Sequence, residues 1–212
     1  MLLGPPASGK GTQADRIASR FGIPHVSTGA LLRSESARGT PLGLEADART
    51  SRGLLVPDAL ALRIIKEWMG RHERIFLLDG FPRSESQAEQ LNALLEEFQT
   101  PLDLIILLEL PDEEIRRRIA ARLSCLKCGA TLSTSLHIHP GDACPRCGEV
   151  LIRRNDDRAE ALEERLRIYR ELTLPVVDYY KRTTPHLLHR LCAEESSDTI
   201  FSRISKLVEG KG

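Results

Sequence analysis

The residues that could bind phosphate lie near the start of the chain, in the glycine-rich run 4–12 (GPPASGKGT). The run follows two leucines and precedes a segment whose sequence favours a helix. Glycines allow backbone N–H groups to approach an anion closely, and a helix N-terminus adds partial positive charge. Lys10 would add a mobile full charge, and Thr12 would place a hydroxyl near a metal ion. The spacing therefore predicts a phosphate-binding loop, and a glycine-rich turn that binds nothing is the alternative.

Four of the five cysteines form two close pairs with the spacing C-x2-C-x15-C-x2-C. These four residues are Cys125, Cys128, Cys144 and Cys147. The spacing is typical of a tetrahedral zinc site with four thiolate ligands, which is structural because no coordination position stays open. His137 and His139 lie between the pairs, and we predict that neither is a ligand because the cysteines fill the shell. Unliganded thiols and a redox pair are the alternatives.

A carboxylate and several arginines could act on bound phosphates. The run 79–83 (DGFPR) follows an apolar segment, so Asp79 would end a strand and could hold magnesium directly or through water. Arg83 offers a planar fork for a phosphate. The other candidate cations are Arg33, Arg118, Arg122, Arg154 and Arg165. Arg118 and Arg122 are four residues apart and are predicted to share one helix face. The alternative for each arginine is solvation or pairing with a glutamate.

The composition limits the possible functions. A chain of 212 residues suffices for one packed core with small inserted lobes. The 30 basic and 30 acidic residues give zero net charge, which argues against a general polyanion-binding surface. Aromatic residues make up 4%, too few for platforms that stack single-stranded bases. The sequence shows neither a bilayer-spanning apolar run nor a signal-like start, so we expect a cytoplasmic protein.

Alternating strands and helices must position these groups. Apolar runs predict five strands, at residues 1–3, 25–27, 75–79, 104–108 and 187–192. Helices are predicted at 13–20, from 28 onward, and at 59–69, 84–97, 112–122, 159–181 with a break at Pro175, and 200–208. The alternation predicts an α/β fold with a parallel sheet. Ligands of such sheets bind beyond the carboxyl ends of the strands, where the glycine-rich loop and Asp79 fall.

Four motifs, in this order along the chain, resemble those of the adenylate kinase family. They are the loop 4–12 with its GKGT ending, the run STG…R at 27–33, DGFPR at 79–83 with Gln87, and R-x-D-D…R at 154–165. The cysteine insert resembles the long zinc-binding lid of that family. The resemblance implies a P-loop NTPase-like parallel five-stranded sheet with helices on both faces, a small helical monophosphate lobe and an inserted lid. The implied core spans 1–26, 57–120 and 158–212, the lobe 27–56 and the lid 121–157.

The resemblance implies reversible, magnesium-dependent phosphoryl transfer from ATP to AMP, giving two ADP, with a structural zinc ion. By matching motif positions, the implied ATP-binding residues are Ala7, Ser8, Gly9, Lys10, Gly11, Thr12, Arg122, Thr131 and Leu132. The implied AMP-binding residues are Thr28, Arg33, Leu54, Leu55, Val56, Gly80, Phe81, Pro82, Arg83, Gln87, Arg154 and Arg165. The implied catalytic residues are Lys10, Asp79, Arg83, Arg118, Arg122, Arg154 and Arg165.

Several of these residues also have plain structural interpretations. Ser84 and Gln87 fit a capping box, so Gln87 could be a cap partner instead of an adenine reader. Thr28 could cap the helix that follows it. Asp157 fits a second capping box, and we predict that it is mainly a hinge and cap residue. Cys192 stands among apolar residues and is predicted to pack in the core.

Two positions depart from the family pattern, and two other functions stay open. Ala30 stands where an acidic residue is usual, and Leu132 where we expected tyrosine. A kinase for UMP or CMP is one alternative, and a P-loop protein whose zinc ribbon binds nucleic acid is another. The segment 125–147 contains only Lys127 and Arg146 as permanent cations and lacks Phe, Trp and Tyr, which disfavours nucleic-acid binding. By resemblance, the protein is expected to be a monomer.

Overall fold

The computed structural model describes residues 1–72 and 75–210. Residues 73, 74, 211 and 212 of the predicted core segments lie outside the described residues. The strands are β1 (Leu2–Leu3), β2 (His25–Ser27), β3 (Leu77–Asp79), β4 (Ile105–Glu109), β5 (Arg122–Cys125), β6 (Thr131–Ser133), β7 (Leu151–Ile152) and β8 (Leu188–Cys192). The α-helices are α1 (Lys10–Phe21), α2 (Thr28–Ala37), α3 (Pro41–Thr50), α4 (Asp58–Met69), α5 (Glu85–Glu97), α6 (Asp112–Ala121), α7 (Ala159–Ile168), α8 (Leu174–Thr183) and α9 (Ser197–Glu209).

Five strands form one parallel sheet in the order β2-β3-β1-β4-β8, which confirms the predicted fold class. Strand β1 is central, because Leu2 pairs with Asp79 of β3 on one side and with Ile106 of β4 on the other. The inner strands β1, β3 and β4 are short and largely buried, as expected of a parallel sheet. Helices α1 and α9 pack against it through Ile17 and Ile200. Because Asp79 pairs with Leu2, it lies next to the end of β1, which leads into the glycine-rich loop.

The chain divides into two compact units. The first comprises Met1–Thr28, Pro57–Leu110 and Ile168–Gly212 and contains the parallel sheet. The second comprises Gly29–Val56 and Pro111–Arg167 and contains an antiparallel sheet in the order β6-β5-β7. Around this small sheet lies a separate core whose members are Leu123, Cys125, Ala130, Cys144 and Leu151. The three-part division into core, lobe and lid stays a prediction.

Arg122 is not helical, so the prediction that Arg118 and Arg122 share a helix face is wrong. Helix α6 ends at Ala121, and the extended backbone of Arg122 (φ −76°, ψ 134°) begins β5. The physical reason lies one residue further on. Leu123 is fully buried and pairs with Leu132 of β6, and a strand brings it into that core.

The predicted break in the long helix is confirmed. Helix α7 ends at Ile168, a π-helical turn spans Tyr169–Thr173, and α8 begins at Leu174 with Pro175 in its first turn. Proline lacks the N–H that a continuous α-helix would use, so the ladder of hydrogen bonds is rearranged before it.

Two predictions about burial are wrong. The strand predicted at 75–79 begins at Leu77, and Ile75 is 66% exposed, so the apolar run extends beyond the buried strand. Cys192 is exposed, because it is the last residue of β8, which is an edge strand of the sheet. Among residues 1–72 and 75–210, none of the helices combines the length and hydropathy that a membrane span needs.

Candidate active site and metal centre

The glycine-rich loop joins β1 to α1, and the side chain of Lys10 is hydrogen-bonded to the backbone of the loop. The Lys10 ammonium donates hydrogen bonds to the carbonyl oxygens of Gly4 (2.8 Å) and Pro5 (2.7 Å) and lies 3.3 Å from the hydroxyl oxygen of Ser8, a buried side chain. A Cβ at Gly4, where φ is +144°, would lie 2.4 Å from the carbonyl oxygen of Leu108 in β4. Only glycine lets the loop pass this close to the sheet. The positive charge of Lys10 is therefore held at the loop.

The start of α1 adjoins the end of β3. Gly9 occupies the N-cap position in a left-handed conformation and provides no side-chain cap, while its carbonyl accepts from the N–H of Gln13. Gly11 and Thr12 in the first turn are exposed. A Cβ at Gly11 would lie 3.7 Å from a carboxylate oxygen of Asp79. The predicted loop and the predicted carboxylate thus lie side by side.

Asp79 is buried among cationic groups. Its Oδ2 lies 3.7 Å from Nε2 of His25, whose Nδ1 lies 3.4 Å from a carboxylate oxygen of Asp15. Burial alone would raise the pKa of Asp79, but His25, Lys10 and Arg83 hold it below its usual value. Burial alone would lower the pKa of His25, but the neighbouring carboxylates of Asp15 and Asp79 raise it to about 9. Asp79 is therefore an ionised carboxylate at neutral pH.

The predicted residues after β3 gather around the carbonyl of Gly80. The Thr28 hydroxyl donates to this oxygen at 3.1 Å, and Nε of Arg83 donates to it at 2.8 Å. Phe81 and Pro82 are buried and joined by a cis peptide bond. Thr28 is the first residue of α2, not its N-cap, so the capping alternative for Thr28 is wrong. The structure brings these residues together beside the loop of the same unit.

Gln87 has a structural role in the first turn of α5. The Ser84 hydroxyl accepts from the N–H of Gln87 (3.2 Å), which confirms the predicted cap. Oε1 of Gln87 accepts from the N–H of Arg83 (2.7 Å), and its Nε2 donates to Asp58 (2.7 Å). The side chain is 2% exposed. Both ends of the amide are thus hydrogen-bonded, and reading of adenine by Gln87 stays a prediction.

The second unit gathers arginines around two adjacent carboxylates. Arg122 donates to Asp157 through Nε (2.9 Å) and through Nη2. Arg165 lies 2.9 Å from Asp156 and 3.2 Å from Asp157. The side chains of these pairs are between 5% and 16% exposed. The two carboxylates therefore hold two predicted substrate-binding arginines in a largely buried cluster.

Asp157 does not cap α7, so that prediction is wrong. The helix begins at Ala159, and the N–H of Leu162 donates to the carbonyl of Arg158, which makes Arg158 the N-cap. Asp157 ends a short 3₁₀ turn instead. Its carboxylate accepts from arginines, whose charge attracts it more strongly than a neutral backbone donor does.

Arg154 is held differently from the other two arginines. Its Nε donates to the Ser124 hydroxyl at 2.5 Å, and its Nη2 donates to the Thr131 hydroxyl at 3.0 Å. Burial, together with the positive charges of Arg33 and Arg122, lowers the pKa of Arg154 to about 9. The guanidinium remains charged at neutral pH and lies near two other cations.

The charges of this cluster act on one another. Burial alone would raise the pKa of Asp156, but Arg165, Arg122 and Arg33 hold it below its usual value. Burial lowers the pKa of Arg165, and Asp156 opposes that effect. Four of the predicted arginines (33, 122, 154 and 165) therefore share one electrostatic environment, in which an added anion would be favoured.

The remaining predicted residues of this unit are tied to their own elements. Nε of Arg118 donates to Glu114, one turn earlier on α6, at 2.7 Å. Leu132 is half-buried in β6. Among the predicted AMP-binding residues 54–56, the carbonyl of Leu55 accepts from Nε of Arg49 at 2.8 Å.

The four paired cysteines form one cluster. Their sulfur atoms all lie within 4.8 Å of one another, with Cys125 to Cys147 at 3.4 Å and Cys128 to Cys144 at 3.7 Å. A tetrahedral zinc ion with Zn–S bonds of about 2.3 Å would separate its sulfur ligands by about 3.8 Å. The spacing and the chemistry of this donor set therefore fit zinc.

Each cysteine pair begins a tight backbone turn. The N–H of Gly129 donates to the carbonyl of Cys125 (3.1 Å), and the N–H of Gly148 donates to that of Cys144 (2.8 Å). His139 lies 3.7 Å from Asp142 and is exposed. In the part of the chain that the structure describes, the metal-binding cluster contains only the four cysteines, in agreement with the prediction.

Sequence reasoning missed several residues of these sites. His25 contacts Asp79 only because β2 and β3 are neighbours in the sheet, which its local sequence does not indicate. Ser124 contacts Arg154 from another strand. Asp156 adjoins Asp157 in the R-x-D-D motif, and two adjacent acids among arginines were the available signal. Asp58 gave no signal beyond its position at the start of α4.

A parallel sheet, a glycine-rich loop between β1 and α1, and a lysine at the first helical position together define a P-loop nucleotide-binding protein. The family model described as adenylate kinase matches residues 2–185. The chain is 40% identical to the adenylate kinase of Thermodesulfovibrio yellowstonii, covering 100% of this chain and 99% of that protein. It is 38% identical to the adenylate kinase of Archaeoglobus fulgidus and 40% identical to that of Methanosarcina barkeri, each covering 99% of this chain and 97% of the relative. The chain belongs to the adenylate kinase family.

Proposed function

We propose that this chain catalyses reversible phosphoryl transfer from MgATP to AMP, giving two ADP. The observation that carries the proposal is the loop lysine beside a buried carboxylate at the end of a strand, since Lys10 helps to hold the pKa of Asp79 low. The family and the named relatives support this reaction over a UMP or CMP kinase and over a nucleic-acid-binding protein.

The reaction needs positioning and charge neutralisation more than proton transfer. An AMP phosphate oxygen is already anionic, so it can attack the γ-phosphoryl group of ATP without a general base. The bond to the β-phosphate oxygen breaks as the new P–O bond forms. Negative charge must be balanced throughout, and cations fixed before the reaction do this best.

We assign the ATP phosphates to the loop, with Lys10 and the backbone N–H groups at the start of α1 as the donors. Asp79 and Thr12 offer the oxygen ligands that magnesium prefers, and the low pKa of Asp79 keeps its carboxylate ionised, so these residues fit the ion. When bound, magnesium would neutralise phosphate charge. Arg122, Thr131 and Leu132 are assigned to ATP as well, as the family resemblance implies.

We assign AMP to Thr28, Arg33, Leu54, Leu55, Val56, Gly80, Phe81, Pro82, Arg83, Gln87, Arg154 and Arg165. The support is strongest for the arginines, because those of the second unit lie in one cluster and Arg83 is fixed by Gly80. Arg118 is assigned to the transferred phosphate. The arginines would also take the place of bulk water around the phosphates. Excluding water from the site limits wasteful hydrolysis of ATP.

We further propose that the four-cysteine cluster holds a structural zinc ion and that the enzyme acts as a cytoplasmic monomer. The sulfur spacing supports zinc. The cysteine pairs support a reducing compartment, where thiolates persist as metal ligands and do not form disulfides.

The test is ADP formation by the purified chain from MgATP with AMP, UMP or CMP. We expect AMP to be the preferred acceptor and Lys10→Met to lower kcat by at least about 10³-fold while the melting temperature stays within a few degrees. A matched control is Lys181→Met, on the exposed side of α8. Retained turnover in Lys10→Met, or preference for UMP or CMP, would contradict the proposal.

A further inference from the structure

The guanidinium of Arg154 rests on two hydroxyls that face each other across the small antiparallel sheet. Ser124 of β5 and Thr131 of β6 are directly paired in register. Directly paired residues of an antiparallel sheet project their side chains to the same face. The Ser124 hydroxyl takes the Nε–H of Arg154, and the Thr131 hydroxyl takes an Nη2–H. The two oxygens therefore match one edge of one guanidinium.

The seat of Arg154, formed by the Ser124 and Thr131 hydroxyls, contains no carboxylate, although the charges of Asp156 and Asp157 act on the guanidinium from outside it. Arg122 and Arg165 donate to carboxylates, so part of their charge is balanced inside the protein. Ser124 and Thr131 are neutral, so they orient Arg154 without neutralising it. The end of the guanidinium that carries Nη1 and the second Nη2 hydrogen then remains for the two oxygens of a phosphate, the bidentate geometry that arginine favours.

Backbone pairing of β5 with β6 and β7 fixes the positions of the two hydroxyls. Ser124 is 2% exposed and also pairs with Ile152 of β7, two residues before Arg154. The N–H of Cys125, next to Ser124, donates to the carbonyl of Ala130, next to Thr131, at 2.9 Å. Because both hydroxyls and the arginine belong to one three-stranded sheet and its immediate extension, their relative positions are set locally.

We propose that Ser124 and Thr131 are positioning residues that aim Arg154 at the phosphate of the acceptor nucleotide. The inference rests on the proposed role of Arg154 in binding AMP. Ser124 does not touch the substrate, and Thr131, which is also assigned to ATP, acts on AMP through the orientation of the guanidinium.

The test is a double-mutant cycle on kcat/KM for AMP at saturating MgATP. We expect Ser124→Ala to lower kcat/KM for AMP about tenfold and Arg154→Ala to lower it about 100-fold. In the Arg154→Ala background, Ser124→Ala should have no further effect, because the group through which it acts is gone. Ser135→Ala, an exposed lid hydroxyl, is the control and should match the wild type.

Thr131 provides an independent arm that does not depend on core packing, since its side chain is exposed. We expect Thr131→Val, which keeps the shape but removes the acceptor, to lower kcat/KM for AMP about fivefold, and Thr131→Ser to restore it. Melting temperature is measured for every variant. KM for ATP should stay within about twofold in Ser124→Ala, and it is measured as well in the Thr131 variants because Thr131 is also assigned to ATP.

The outcomes separate the inference from the proposed function. If Arg154→Ala leaves kcat/KM for AMP unchanged, the proposed role of Arg154 and the positioning role of the two hydroxyls are both rejected. If Arg154→Ala is impaired but Ser124→Ala and Thr131→Val are not, the seat is rejected and the proposed function stands. Equal losses from Ser124→Ala in both backgrounds would mean that it acts through folding, which also rejects the seat.

Discussion

The backbone of Gly53 meets helix α7 at a point where a side chain does not fit. Its φ is +82°, and a Cβ there would lie 2.4 Å from the carbonyl oxygen of Ala161 and 3.1 Å from Cγ of Arg165. Gly53 directly precedes residues 54–56, which we assign to AMP. Gly53→Ala therefore tests whether close packing on α7 positions the AMP-binding backbone.

Two effects of Gly53→Ala can be estimated separately. A left-handed conformation costs a non-glycine residue about 1–2 kcal/mol, and in a chain of this size each kcal/mol lowers the melting temperature by about 2–4 °C. The distance from the new Cβ to the carbonyl oxygen of Ala161 must also increase from 2.4 Å to at least 3.0 Å. The backbone at residue 53 must therefore shift by about 0.6 Å away from α7. Because a misplacement near 1 Å can cost about 100-fold in rate, we expect kcat/KM for AMP to fall about 10- to 100-fold.

Gly39→Ala is the matched control. Gly39 lies in the same unit with φ +67°, but nothing lies within 4 Å of the position of its Cβ. It should show the same drop in melting temperature of about 2–8 °C from the conformational cost, with unchanged kcat/KM for AMP. The assay is ADP formation at varied AMP and saturating MgATP, with thermal unfolding of the same samples. Equal kcat/KM in the two variants would refute the packing argument.

Two further predictions concern the metal centre and pH. Cys128→Ser should lower the melting temperature by about 10 °C, while kcat, measured at a temperature where the variant stays folded, should change less than about twofold. Cys192→Ser, at an exposed cysteine, is the control. Lost turnover with an unchanged melting temperature would contradict a structural role of the metal. Because the pKa of His25 in the folded protein, about 9, lies above its ordinary value of 6.5, its contribution to stability is complete below pH 6.5 and is lost as pH rises through 9. Between pH 6 and 10, the unfolding free energy of His25→Gln, measured by urea unfolding, should therefore fall less than that of the wild type. An equal fall in both proteins would exclude ion pairing of His25 with Asp15 and Asp79.

The features that sequence could predict are those encoded within a few residues. The phosphate loop, its lysine and the flanking strand and helix follow from glycine spacing and the change in hydrophobic period. The Ser84 cap follows from the residues of one helical turn. The cysteine cluster follows from two short turns, each of which needs only its own pair and a following glycine.

The features that sequence could not predict depend on neighbours distant along the chain. Arg122 lies in a strand because Leu123 must reach a core that β6 completes, although the preceding residues favour a helix. Cys192 is exposed because β8 is an edge strand, and an apolar run does not reveal its position in the sheet. The contact between His25 and Asp79 requires β2 and β3 to be adjacent.

The arginines of the second unit show why family motifs identify residues without explaining how a fold tolerates them. Four cations close together repel one another, and the fold offsets this with two adjacent carboxylates, Asp156 and Asp157. An incoming phosphate must compete with Asp157 for Arg122, because that carboxylate already accepts from both Nε and Nη2. At Arg154 the hydrogen-bond partners to be displaced or shared are neutral hydroxyls, and Asp156 and Asp157 act on it only through their charge. A phosphate that binds Arg122 must therefore replace a carboxylate as its hydrogen-bond partner, whereas a phosphate that binds Arg154 does not.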